Sequence, residues 1–199
     1  MRRIEGRKNQ NTKDSINNFY ANRFNESIID LRNKLFYNEI LEWIPNDATS
    51  LLDMGCGTGY GLDFIRRHRK DLKLTGYDLS KVAIKLAKDI YENIVFDIFD
   101  LYQDTIYKFF DVILLLETLE HLEDPKAIIN KLLCSCQSLI ISVPYKKYLK
   151  NEKAHLYTDF TRESFEDFEI LSSKVIGISK KRKSKRYLYI RLAGKYYEN

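Results

Sequence analysis

Asp53, Gly55, Gly57 and Gly59 stand at every second position within Ser-Leu-Leu-Asp-Met-Gly-Cys-Gly-Thr-Gly-Tyr-Gly, residues 50–61. Residues of these types at this spacing can line an extended ligand. Glycines let the main chain turn sharply and come close to a partner with no Cβ in the way, and a carboxylate ahead of them can brace the loop. Leu51 and Leu52 read as the buried end of a strand, and a helix begins behind the glycines, so backbone N–H groups meet an open crevice at the sheet edge. A second acid, Asp78, ends the next hydrophobic run, and its two acceptor oxygens suit a pair of vicinal hydroxyls. Two histidines, His121 and His155, can take a proton near neutral pH.

Spacing narrows the ligand. A dinucleotide fingerprint needs Gly-x-Gly-x-x-Gly, but the sixth position is Tyr60 counted from Gly55 and Leu62 counted from Gly57. A phosphate loop needs Gly-x-x-x-x-Gly-Lys, and no lysine follows until Lys70. The order Asp53-x-Gly55-x-Gly57-x-Gly59, then Asp78, resembles the nucleoside-binding loop of class I S-adenosylmethionine-dependent methyltransferases. Later segments continue the resemblance. Gly76-Tyr77-Asp78-Leu79-Ser80 is similar to that family's second motif, and Ile94-Val95-Phe96 with Asp100-Leu101 to its third. Phe110-Asp111-Val112-Ile113, running to Leu119-Glu120-His121-Leu122 and Asp124-Pro125, is similar to its fourth. The Glu-His-Leu ending resembles the small-molecule branch that includes ubiquinone-pathway and sugar methyltransferases.

The resemblance implies S-adenosyl-L-methionine as cofactor and assigns its contacts. Gly55, Cys56, Gly57 and Gly59 would line the methionine moiety and ribose, with Asp53 supporting the loop and the donor's ammonium group. Asp78, with Leu79, would grip the ribose. Asp100 would accept from the adenine amino group with Leu101 against the ring, Asp97 being its rival. Glu117 would meet the donor's amino acid end. Phe19 and Tyr20 either close the crevice or pack among the helices. On the acceptor side, His121 is a catalytic base or a histidine that holds its loop. His155, in a His-Leu-Tyr-Thr-Asp-Phe-Thr segment similar to one in the same branch, is a substrate contact or base. Tyr145, Lys146 and Tyr148 line an acceptor pocket or form an exposed rim.

The elements that must position these residues follow from periodicity. Ile28, Leu31, Leu35, Phe36, Ile40, Leu41 and Ile44 recur at helical intervals before Pro45, predicting one long or two short amphipathic helices after a polar, mobile start of about 15 residues. Leu62 and Ile65 face inward on the helix after the glycines. Ser80 caps a helix on which Val82, Leu86 and Ile90 share a face. Ile113–Leu116 and Leu139–Val143 are near-continuous apolar runs, the mark of parallel strands covered on both faces. Between them Pro125 opens a helix with Ile128, Ile129, Leu132 and Leu133 inward. Strand and helix alternate, so the fold class is α/β, a Rossmann-like doubly wound sheet. The resemblance adds seven mostly parallel strands with a C-terminal antiparallel hairpin. One methyltransferase domain is expected over residues 1–199, with a helical cap over 1–45, a donor-binding core over 50–144 and a substrate rim and hairpin over 145–199. The rim is polar and long for a connection, a short helix follows from about Thr161, and the hairpin pairs Glu169–Ser179 with Tyr187–Leu192.

Composition bounds the rest. In 199 residues, 44% of them hydrophobic, there is material for one sizeable core. The longest apolar run, Val112–Leu116, is too short to cross a bilayer. Three cysteines, an odd number, suit a reducing cytoplasmic setting without a disulfide framework, and Cys134 and Cys136 have no spacing of a metal site, so no metal is expected. The net charge of +5 is local, since Lys180, Lys181, Arg182, Lys183, Lys185 and Arg186 supply six positive charges. That run is either a solvated hairpin tip or a contact for phosphate or an acidic partner. No Asn-or-Asp-Pro-Pro-aromatic motif follows the fourth strand and no Pro-Cys pair exists, which argues against amino-methylating DNA enzymes and cytosine C5 enzymes. The favoured expectation is methyl transfer to a small-molecule acceptor, at a hydroxyl oxygen. An RNA or protein methyltransferase anchored by the basic run, and a non-catalytic donor-binding module, are the alternatives.

Overall fold

The computed structural model describes residues 1–6, 8–23, 31–145, 154–180 and 183–195. Five apolar runs become parallel strands: β2 (Ser50–Met54), β3 (Lys73–Asp78), β4 (Val95–Ile98), β5 (Phe110–Leu116) and β6 (Cys136–Pro144). Their order is β4-β3-β2-β5-β6, and a hairpin of β8 (Ile170–Lys180) and β9 (Lys183–Ala193) completes a seven-stranded sheet through antiparallel pairing of β9 with β6. This is the expected mostly parallel sheet with a terminal hairpin.

The strand register explains the unbroken apolar runs. Leu51 pairs with Val112 and Leu52 with Ile113, so successive residues enter opposite cores. Leu51, Val112, Leu114 and Ile140 pack with α2 (Leu31–Trp43), α3 (Tyr60–His68) and α4 (Lys81–Ile90). Leu52, Ile113, Leu115, Leu139 and Ile141 pack with α5 (Pro125–Leu133) and with Phe160 and Phe165. Each such side chain contributes about 1.5–3 kcal/mol when fully buried, against about 1 kcal/mol for a helix cap. Burial therefore holds the layers together, and caps decide where helices begin. Ser80 Oγ accepts from the Ala83 N–H at 3.2 Å, and Asp124 Oδ1 from the Ala127 N–H at 3.0 Å, with Pro125 in the first turn.

Several expectations are corrected. Within the polar start, β1 (Arg2–Arg3) pairs with β7 (Tyr157–Thr158), residues 8–12 carry no helix or strand, and a helix, α1, already spans Lys13–Arg23. The buried face of α4 is Ala83, Ile84 and Ala87, while Ile90 is exposed. Small alanines let α4 sit close to the sheet, whereas a reading by bulk selects the neighbouring stripe. The short helix expected from about Thr161 is present, as a 3-10 helix over Arg162–Phe165 with Thr161 as its N-cap. Ile28, Lys146, Tyr148, Lys181 and Arg182 lie outside the described residues. Both hairpin strands run into the basic segment, with Lys180 opposite Lys183 as their last pair. No helix among the described residues is long and apolar enough to cross a membrane.

Candidate active site

The glycine loop leaves β2 at its C-terminal end and is pinned to β3. The Tyr77 carbonyl accepts from the N–H groups of Gly55 (2.7 Å) and Cys56 (3.0 Å). Asp78 closes the structure from the side: Oδ2 accepts from the Gly57 N–H at 2.9 Å and Oδ1 from the Ser80 N–H at 2.8 Å. One carboxylate thus ties the loop to the start of α4. Gly55 and Gly57 have φ of 88° and 54°, the left-handed region. A Cβ on Gly55 would lie 2.5 Å from Thr118 Oγ1, and one on Gly57 would lie 2.8 Å from Tyr20 Oη. The loop is held between α1 and the exit of β5, with no room for side chains at either position.

Burial sets the charge state of the acids. Asp53, 3% exposed, has its carboxyl pushed up to about 7 by burial, with Asp78 adding to the effect. Burial also raises the Asp78 carboxyl, and the Ser80 and Gly57 N–H groups oppose that rise. Cys56 is buried and its thiol is pushed far up, so it remains a neutral lining group. Leu79 is half-buried beside Asp78.

Helix α1 covers the crevice with one polar face. Lys13 Nζ lies 3.3 Å from Asp100 Oδ2. Asn17 Oδ1 accepts from Ser80 Oγ at 2.8 Å and from the Val82 N–H at 3.3 Å. Tyr20 places its hydroxyl on Gly57, and burial raises its ionisation well above the usual range, so it stays a neutral hydroxyl. Spacings of four and three residues put Lys13, Asn17 and Tyr20 on one helix face, which touches the third, second and first motifs in turn. Phe19 is 52% exposed and meets the Tyr20 ring edge-on. Asp100 is buried under Lys13 with Oδ1 accepting from the Tyr102 N–H, and Leu101 packs against the core; Asp97 is exposed on β4.

Glu117, the residue after β5, has φ of 48°, a strained value for a residue with a Cβ. Its N–H donates to Ser142 O (3.1 Å) and to Ser142 Oγ (3.2 Å), and Ser142 Oγ also contacts its Oε1 at 3.2 Å. The strain is thus held by the next strand. The following 3-10 turn, Leu119–His121, brings His121 to His155 with rings edge-on and centroids 4.7 Å apart. His121 Nδ1 lies 3.1 Å from the Ala154 carbonyl, and His155 Nε2 lies 4.0 Å from Glu120 Oε1. Asn11 Nδ2 bonds both the His121 and Ala154 carbonyls, and the Leu156 N–H donates to the Glu120 carbonyl, so the N-terminal strap and the rim assemble this cluster. Tyr145 is half-buried at the end of β6.

The structure thus brings Tyr20, Asp53, Cys56, Asp78 and the glycines into one group, sets Asp100 and Glu117 at its two ends, and places the histidines together past β5. Sequence reasoning missed Lys13, Asn17, Asn11, Ser142 and Glu120. The polar 13–17–20 spacing was the available signal for the first two.

A mostly parallel seven-stranded sheet with a glycine loop after its first long strand and an antiparallel C-terminal hairpin defines the Rossmann-like class I methyltransferase fold. Solved structures agree in fold. The N-methyltransferase NodS from Bradyrhizobium japonicum WM9, in complex with S-adenosyl-L-homocysteine, superimposes with a TM-score of 0.72 at 17% identity, over 94% of this chain and 100% of that one. The plantazolicin methyltransferase BpumL, in complex with a triazolic desmethylPZN analog and SAH, gives 0.66 at 17% identity, over 92% of each chain. A malonyl-[acyl-carrier protein] O-methyltransferase of Acetivibrio thermocellus is 27% identical over 110 residues, 53% of this chain and 39% of that relative's length. The family model described as methyltransferase domain matches residues 20–168. The chain belongs to this methyltransferase-domain family, whose members use S-adenosylmethionine.

Proposed function

We propose that this protein moves a methyl group from S-adenosylmethionine to a small-molecule acceptor, at a hydroxyl oxygen, by direct in-line displacement. The observation that carries the reading is the loop at residues 55–59, knitted by Asp78 to α4 and covered by the polar face of α1. Such a cradle fits a nucleoside: main-chain atoms approach without Cβ atoms, and a buried carboxylate stands at the ribose position. The cofactor supplies a methyl already activated on a sulfonium. Gly55, Cys56, Gly57 and Gly59 line its methionine and ribose parts, Asp53 and Glu117 face its amino acid end, and Asp78 with Leu79 holds the sugar. Asp100 and Leu101 take the adenine, and Tyr20 closes the crevice.

The chain's further task is to exclude water and align the acceptor. Orientation alone can supply effective molarities of about 10⁵ M or more, so no covalent intermediate on the protein is needed. The cluster at Glu120, His121 and His155, just past β5, is placed to activate the acceptor oxygen. A reducing cytoplasmic setting belongs to the same reading and is supported by the odd number of cysteines. The test is a screen of hydroxylated, amino and thiol metabolites with purified protein and S-adenosylmethionine, followed by mass spectrometry. Methylation of a hydroxylated compound, lost in Asp78→Ala, is expected. Titratable binding of S-adenosylhomocysteine with no acceptor methylated in any class would overturn it in favour of a donor-binding module.

A further inference from the structure

The cluster past β5 has a second property. One side-chain atom each from Glu120, His121 and His155 lies within 4.8 Å of the other two. Three such atoms stand no more than about 2.8 Å from a common centre, against bonds of roughly 2.0–2.2 Å from nitrogen or carboxylate oxygen to a divalent metal. Each needs to move inward by less than about 1 Å, within reach of small side-chain rotations. From these residues we propose that Glu120, His121 and His155 form a binding site for one divalent first-row transition-metal ion.

Three features support this. The Ala154 carbonyl can only accept, so the His121 Nδ1 that meets it carries the proton and the ring's lone pair is on Nε2. A histidine ligand is usually oriented through its other ring nitrogen in this way. Glu120 is 1% exposed and its Oε1 lies 4.0 Å from His155 Nε2, so the carboxylate meets the imidazole inside the fold, away from solvent. Finally, backbone geometry holds the ligands from three directions: the 3-10 turn presents Glu120 and His121, the rim presents His155, and Asn11 bonds the carbonyls of both segments. Two imidazoles and one carboxylate favour an ion of the manganese-to-zinc series over calcium or magnesium, which prefer all-oxygen surroundings.

The ion's role, though not its existence, rests on the methyl-transfer reading. An acceptor oxygen bound there would lose its proton to solvent as the O–CH3 bond forms and the S–CH3 bond breaks. The test uses the full chain stripped with chelator and titrated with Co²⁺, read by its visible spectrum and by calorimetry. One equivalent should bind with the absorption of a mixed nitrogen and oxygen sphere, and His155→Ala and the near-isosteric Glu120→Gln should each weaken binding by about tenfold or more. Binding of S-adenosylhomocysteine serves as the folding control for both variants. An aqueous Co²⁺ spectrum in the wild type, or unchanged affinity in a folded variant, overturns the site. Donor binding without Co²⁺ binding rejects the metal site alone, and Co²⁺ binding without donor binding rejects the methyl-transfer reading alone.

Discussion

Asp53 offers a sharp test of how the loop holds its ligand. Its carboxyl is pushed up to about 7, first by burial and then by Asp78. If the ionised form is the one that meets the donor's ammonium group, affinity must follow its titration. About 1% of Asp53 is ionised at pH 5 and about three quarters at pH 7.5. The dissociation constant for S-adenosylhomocysteine should therefore fall by tens of fold across that interval, roughly 2–3 kcal/mol. The ligand's own carboxyl and amino groups titrate largely outside it. Folding stability of the unliganded protein runs the other way. The folded-state value lies above the unfolded value of 3.8, so the stability that Asp53 contributes is full below about pH 3.8 and is lost as pH rises through about 7. Asp53→Asn should remove that loss and stabilise the unliganded protein at pH 8, by an upper bound of about 4 kcal/mol, while flattening the binding curve. Calorimetry at half-unit pH steps, with circular dichroism to confirm folding, reads the first effect and urea unfolding reads the second. A dissociation constant independent of pH in the wild type, or the same slope in Asp53→Asn, would refute the coupling.

Two further substitutions probe the cradle. Asp78→Asn leaves only one acceptor atom where two backbone N–H groups are now satisfied, so one of them loses its partner. Stability should drop by about 1–3 kcal/mol by urea unfolding, and S-adenosylhomocysteine affinity should fall by a larger factor than that of Asn17→Ala. Asn17→Ala removes the acceptor shared by Ser80 Oγ and the Val82 N–H. Loosening α1 there should weaken the same ligand by about fivefold, near 1 kcal/mol, mainly through faster dissociation in stopped-flow measurements.

Local sequence already determined much of this protein. Loop glycines, the acids Asp53 and Asp78, the cap at Ser80, the helix start at Pro125 and the doubly covered strands are each written in a few neighbouring residues, because a turn, a cap or a strand is decided by sterics and burial over short range. Helix α1 escaped that reading since its inward face is Lys13, Asn17 and Tyr20, and a polar face leaves no apolar period to detect. The buried stripe of α4 escaped because alanines carry little weight in such a pattern. Only tertiary structure decided that Asn11 and Asn17 tie distant motifs together, that Ser142 supports the strained Glu117, and that His121 and His155 meet beside Glu120. Those contacts join segments from separate parts of the chain, and their energy depends on distances that only the folded sheet establishes.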